Sequence, residues 1–261
     1  MASWSIIDSH CHLDFPVFDS TRSQLVASAL AAGVTHIVIP AVVAQNFQRV
    51  IDTASAYPNT SFALGLHPCF MQEHQAEDLQ TLVDYVEYFS VCAIGEIGLD
   101  FFIPDYDAAA QISLLKAQLE IAKEHRLPVL LHVRKAHDIM LKTLREVKFE
   151  QGGIVHAFNG SMQQAEQFIA MGFKLGFGGA ITYPRANKLR RLVAALPLFS
   201  IVLETDAPDM PLSGRQGVFN QPAYVADILK EIAGLRAEPI ESIAATTTAS
   251  VEQLLSITSQ P

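Results

Sequence analysis

The chain has 261 residues, half of them hydrophobic and 17% charged, which provides apolar material for a sizeable core and excludes a disordered protein. A formal net charge of −9 excludes long-range attraction to nucleic acid as a driving force, so such binding would need local positive charge or bound metal. Three scattered cysteines, Cys11, Cys69 and Cys92, exclude a disulfide framework and suit a reducing cytoplasm.

Met1-Ala2-Ser3-Trp4 lacks the basic start of a signal peptide. No apolar run approaches a membrane span, so a cytoplasmic protein with no membrane contact and no obligate protein partner is expected. Short β-branched apolar runs then alternate with helix-patterned segments. The predicted strands are Ser5–Ser9, Thr35–Ala41, Ser61–Leu66, Val91–Ile97, Pro128–Val133, Gly153–Ala157, Phe173–Phe177 and Ser200–Thr205. Helical patterns fall between them at Ser20–Ala32, Ala44–Ala56, Glu77–Tyr88, Asp107–His125, Ala136–Val147, Met162–Met171 and Arg185–Leu196, and two more follow at Pro222–Ala233 and Pro239–Leu255. This alternation implies parallel pairing with right-handed crossovers. About eight units is the count of a (β/α)8 TIM-type barrel with an extra C-terminal helix. An open doubly wound sheet competes, but no Gly-rich phosphate loop follows the first strand. With no linker or repeat, residues 1–261 read as a single domain.

Strands buried on both faces should be nearly continuous apolar runs. Several here end in residues foreign to a core: Asp8-Ser9-His10-Cys11-His12, Gly65-Leu66-His67-Pro68, Gly95-Glu96-Ile97-Gly98-Leu99-Asp100, Leu131-His132-Val133-Arg134, Val155-His156-Ala157-Phe158 and Leu203-Glu204-Thr205-Asp206-Ala207-Pro208. All lie at C-terminal strand ends, the face on which barrel enzymes carry their chemistry. One such group buried alone is costly, and repeating that cost makes sense if the groups converge on cations. Four imidazoles (His10, His12, His132, His156) and two carboxylates (Glu96, Asp206) mix borderline and hard ligands suited to zinc, manganese or other first-row ions. If Glu96 bridges, the six can hold two divalent ions, zinc, manganese, magnesium or similar, with positions open for water and substrate.

These motifs resemble the TatD family of metal-dependent deoxyribonucleases, in the metal-dependent hydrolase superfamily, and most of all its YjjV-like branch. The resemblance spans nearly the whole chain. It implies a (β/α)8 barrel and exonuclease-type phosphodiester hydrolysis by a hydroxide activated at a binuclear divalent metal centre. By the family pattern, His10 and His12 hold one ion with Asp206, His132 and His156 hold the other, Glu96 bridges, and Asp206 orients or deprotonates the attacking water. Two departures stand out. Where many members carry a basic residue before the Asn near the second-helix proline, this chain has Phe219-Asn220-Gln221-Pro222; where many carry an arginine after the glutamate motif, it has Phe101-Phe102-Ile103-Pro104. Both weaken the expected grip on phosphate.

Around the ligands, Arg134 has the parity of His132 and either contacts phosphate or pairs with Asp100 or Glu204. His67 is either a substrate donor or acid, counted with Asp206, Glu96 and Arg134 as catalytic, or a core histidine. Asp8 and Glu204 are expected to orient ligand imidazoles, and Cys11 to pack under a helix. The run Arg185–Arg191 is either a solvated helix face or a phosphate rail that Lys135 and Arg215 extend, and Phe101, Phe102, Phe158 and Tyr183 could supply rim contacts. Three functions compete: a phosphodiesterase acting on DNA or another phosphodiester; a carboxyl-ester or amide hydrolase, for example on mischarged transfer RNA; and a catalytically silent metal-stabilised scaffold.

Overall fold

The computed structural model describes residues 4–258. Of the stretch read for a leader, Met1–Ser3 lie outside the described residues. Eight parallel strands hydrogen-bond in sequence order: β1 (Ile6–Asp8), β2 (Val34–Pro40), β3 (Thr60–Leu64), β4 (Ala93–Asp100), β5 (Val129–Arg134), β6 (Gly153–Val155), β7 (Phe173–Phe177) and β8 (Ile201–Leu203). Crossover helices α1 (Arg22–Ala31), α2 (Phe47–Ser55), α3 (Asp78–Tyr88), α4 (Ala108–Glu124), α5 (His137–Glu146), α6 (Met162–Ala170) and α7 (Asn187–Ala195) follow the first seven strands; α8 (Val225–Leu235) and α9 (Ile240–Leu255) follow the last. The expected alternation is therefore present throughout, and the barrel is nearly closed. Its seam is stitched by backbone bonds from Ser9 N to Leu203 O (2.9 Å), Asp206 N to His10 O (2.8 Å) and His12 N to Ala207 O (2.8 Å).

The interior is layered. Ile7, Val38, Ala63, Ala93, Leu130, Ile154 and Val202, from seven of the strands, form one apolar cluster with Val251 and Leu255 of α9. Thus α9 plugs the barrel, and Thr248 Oγ1 and Ser250 Oγ fasten it to the carbonyls of Ser5 and Phe199. Two residues beyond Leu130, Ile154 and Val202 stand His132 on β5 and His156 and Glu204 just past β6 and β8, so the alternation that buries the apolar layer also lifts polar groups to the layer above. Glu96 breaks that parity. The β4–β5 register shifts between Ile94 and Ile97, and such an irregularity re-aims a side chain.

Two buried glutamines on α4, seven residues apart and hence on one helix face, complete the strand ends. Gln118 accepts from Leu66 N (2.7 Å) and donates to Leu66 O (3.1 Å). Gln111 does the same for Asp100 N (2.8 Å) and O (3.0 Å). Each amide stands in for a missing strand neighbour, because buried backbone groups need partners. Replacing Gln118 with leucine strands a buried N–H and C=O of Leu66. A loss of about 1–3 kcal/mol is expected, read as a lower urea midpoint with unchanged slope. A midpoint equal to that of Gln80→Leu, a substitution on the exposed face of α3, would count against the clasp.

Candidate metal centre

Glu96 is buried, and its two oxygens face different partners. Oε2 lies 3.1 Å from His10 Nε2 and 3.5 Å from His12 Nε2. Oε1 lies 3.1 Å from His132 Nδ1, 3.2 Å from His67 Nε2 and 3.3 Å from His156 Nε2. Asp206 Oδ1 joins the first set, 3.5 Å from His12 Nε2 and 3.7 Å from His10 Nε2. The six residues read as ligands are thus brought together, with His67 added. Five imidazoles around one carboxylate exceed its roughly four lone-pair sites. Ligand atoms about 2.1 Å from a tetrahedral ion stand about 3.4 Å apart, close to the spacings here. The donor atoms of His10, His12 and Asp206, and of His10, Glu96 and His156, each lie within 4.8 Å of one another. Both the chemistry and the spacing of this donor set fit divalent cations.

Protons balance the acids in the protein alone. Burial works against ionising Glu96, yet the surrounding imidazoles hold its carboxyl well below the usual range. Burial likewise disfavours charged His156, but Glu96, Asp206 and Glu204 lift it to about 10. His12 is raised by Asp206 and Glu96 against the same burial cost. His67 is pushed down to about 4, chiefly by burial. Asp206 adopts φ +58°, a left-handed conformation that a non-glycine residue holds only when its surroundings dictate it.

Supporting residues were partly legible. Glu204 stands beside the expected ring but without a hydrogen bond to it: Oε1 lies 3.6 Å from His156 Nδ1 and accepts from Ala157 N at 2.6 Å. Asp8 departs from the expectation. Its carboxylate accepts from Thr205 N (2.9 Å) and Thr205 Oγ1 (2.6 Å), tying the seam rather than orienting an imidazole, because β1 ends at Asp8 and strand parity stops there. Asp100, which the sequence suggested only as a partner for Arg134, bonds His132 Nε2 at 2.9 Å instead. Burial opposes its ionisation, but that bond and the amide of Phe102 hold its carboxyl down to about 2. Asn220 was missed as well; it is buried and donates to the carbonyls of Thr205 (2.7 Å) and Met210 (3.2 Å), locking the loop beyond β8. The Asp100 signal was its place at the end of the glutamate motif.

At the mouth, His132, Arg134, His156, Phe177, Ile181 and Asp206 are among the residues lining a cavity of about 360 Å³. The Arg134 side chain is 48% exposed, stacks on Phe102 at 3.9 Å and reaches Asp100 only loosely, at 3.9 Å. The basic run is divided: Arg190 is paired with Glu231, whereas Lys188 and the neighbouring Lys135 line a cavity beside the mouth. Arg215 is paired with Asp227 and stacked on Tyr224. Phe158 is buried in the core and also borders the mouth cavity. Cys11 is buried in the core as expected, and Cys11, Cys69 and Cys92 are all free.

The fold and this cluster of imidazoles and carboxylates mark a metal-dependent hydrolase of the barrel type. The model of the TatD related DNase family matches residues 7–256, and the chain belongs to that family. It is 46% identical over 240 residues to the uncharacterised metal-dependent hydrolase YjjV of Escherichia coli K12, covering 91% of this chain and 93% of the relative. The crystal structure of YjjV, a TatD homologue from E. coli K12, superposes with a TM-score of 0.94 at 44% identity, covering 97% of this chain and 98% of that one. The 3'-5' ssDNA/RNA exonuclease TatD of Escherichia fergusonii is 32% identical over 263 residues, covering 97% of this chain and 99% of the relative.

Gly176 sits against Glu204 so closely that a Cβ there would lie 2.0 Å from Oε2. Gly176→Ala should therefore destabilise by about 1–3 kcal/mol through overpacking. Gly234→Ala in α8 meets nothing within 4 Å and should stabilise by about 0.4–1 kcal/mol. Calorimetric melting of both variants checks this: the two midpoints should move in opposite directions, and a parallel shift would contradict the close packing of Glu204.

Proposed function

We propose that this chain is a binuclear metal-dependent phosphodiesterase that trims single-stranded nucleic-acid ends. The observation carrying this reading is the division of donors between the two oxygens of Glu96. His10, His12 and Asp206 would hold one divalent cation with Oε2; His132 and His156 would hold the other with Oε1. Zinc, manganese or magnesium suits this mixed set. Bound there, the cations would supply Lewis acidity toward the phosphoryl oxygen and a more acidic water. The exonuclease name of the E. fergusonii relative supports the nucleic-acid assignment. Three free cysteines fit a cytoplasmic setting, and among the described residues no helix is long and apolar enough to cross a membrane.

The chain's own groups have separable tasks. Asp206, at the cavity wall, accepts the proton of the attacking water. Arg134 holds a non-bridging phosphate oxygen through its planar fork. His67 accepts from Cys69 N (3.1 Å) at Nδ1, so Nε2 carries the proton toward Glu96. With both nitrogens engaged and the ring buried, His67 positions Glu96 rather than protonating a leaving group. Asp100 fixes the ring of His132, Glu204 sets its charge beside that of His156, and the apolar wall of Phe177, Ile181 and Leu189 offers a seat for a base or sugar.

Arg134→Ala tests the substrate class. A phosphodiester carries charge for Arg134 to hold, so cleavage of a single-stranded oligonucleotide should fall roughly a hundredfold or more, with metal content unchanged. Hydrolysis of a neutral carboxyl ester should change much less, and Arg134→Lys should restore only part of the nuclease rate. A loss confined to the ester would overturn the phosphodiesterase reading in favour of carbonyl chemistry. The ligand assignment has its own check. Asp100→Asn removes an acceptor from His132 without opening a cavity, and metal affinity should fall about 10–100-fold while the melting curve keeps its cooperativity. Unchanged affinity in a metal titration would remove His132 or its support from the centre.

A further inference from the structure

Beside the metal centre lies a second cavity, of about 410 Å³, that the proposed reaction does not use. Arg134 and Asn159 line both cavities, so the two are contiguous. Lys135, Lys188 and His137 line the second one, and no acidic residue does. In a chain of net charge −9, three cations around an acid-free cavity are a local reversal of sign. Lys135 has no hydrogen bond or ion pair among the described residues. Lys188 donates only to Asn159 O, at 2.7 Å, and keeps two N–H donors free. The nearest acids are engaged elsewhere: Asp138 accepts from Gln164 Nε2 at 2.8 Å, and Asp100 bonds His132.

His137 adds a neutral partner. The residue is 7% exposed, and its Nε2 is sealed without a partner where the ring meets Phe158 and Phe168 edge-on. Burial, with the charge of Lys188, pushes its pKa down to about 4, so it is uncharged at neutral pH. The open ring nitrogen is Nδ1, which can donate without bringing charge. Such a site suits a group that is anionic, compact and rich in acceptors, and the cavity's position next to the reaction centre says where on the substrate it lies.

We infer that the cavity formed by Lys135, Lys188, His137 and the shared Arg134 is a phosphate subsite that grips the backbone phosphate adjacent to the one being cleaved. This rests on the phosphodiesterase reading and deepens it: the substrate is a chain with at least two phosphates, held by a charge cluster outside the metal centre. Phe102, under Arg134 and 55% exposed, borders the same cavity.

The test uses the metal-loaded protein and a fluorescent single-stranded oligonucleotide with phosphorothioate linkages, followed by anisotropy across a salt series. Each backbone contact on a single strand contributes about 0.7 to the slope of log K against log salt. The Lys135→Ala/Lys188→Ala variant should therefore lower the slope by about 1.4, with weaker binding regardless of sequence. Lys142→Ala/Lys148→Ala removes two charges from along α5 and beyond its far end, up to about 15 Å from the cavity, and should leave the slope near that of the unaltered protein. Turnover of bis(p-nitrophenyl) phosphate by the unaltered protein tests the underlying reading separately. If that turnover is present and both double variants share the wild-type slope, the subsite is wrong and the phosphodiesterase reading stands. If neither that ester nor an ordinary oligonucleotide is cleaved, the reading fails and the subsite with it.

Discussion

A carboxylate buried at the mouth of a barrel, with imidazoles on both of its oxygens, is the constraint from which the rest of this molecule follows. Glu96 could not sit there ionised and unpaired, since an uncompensated buried charge costs several kcal/mol. Imidazoles compensate it, and their protons are the part a divalent cation can replace, because an imidazole must be neutral to ligate. The same carboxylate therefore suits two conditions, hydrogen-bonded to histidines alone or, as proposed above, shared between cations. Keeping it in place engages much of the surrounding structure: the register shift in β4 that turns it inward, His67 behind it, and the seam bonds that hold His10 and Asp206 side by side.

Rigidity at the site is assembled from below and from the side. The apolar layer plugged by α9 makes the lower barrel an ordinary core, close-packed and unreactive. Above it the strands run out, and their last backbone groups would be exposed in a buried setting. Glutamine amides of α4, the Asp8–Thr205 clasp and Asn220 satisfy those groups without adding strand. Loops held in this way can carry functional side chains with the precision of strands, as positioning of a metal centre requires. Around the mouth, an apolar wall and a basic cavity share Arg134, so in the proposed reaction one arginine would link the reacting phosphate to its neighbour.

Charge distribution reconciles a net charge of −9 with the polyanionic substrate proposed above. Much of the positive charge near the mouth is committed within the fold: Arg190 to Glu231, Arg215 to Asp227 and Tyr224. Lys135 and Lys188, which have no ion pair among the described residues, face one acid-free cavity. Attraction of this kind acts within about a Debye length, roughly 8–10 Å, and selects for the local geometry of a backbone rather than for nucleic acid at a distance.

The sequence by itself determined the alternation of eight strands and their helices, since a periodicity of two and one of 3.6 are written directly in the order of apolar residues. It also singled out the candidate ligand set, because histidines and acids at the ends of apolar strands have few other uses, and the structure gathers those residues around Glu96. Only the tertiary structure decided which of these groups touch. Asp8 and Glu204 are equivalent by parity, yet one ties Thr205 and the other faces His156, because β1 stops at Asp8 while the chain after β8 carries Glu204 inward under Gly176. Asp100 meets His132 through the pairing of β4 with β5, and Glu96 faces inward through an irregularity in that same pairing. Arginines that look alike in one chain were divided between ion pairs and open water by helices far away in sequence. Partners across strands depend on register, twist and packing, and none of these is encoded in the local pattern that makes a strand or a helix.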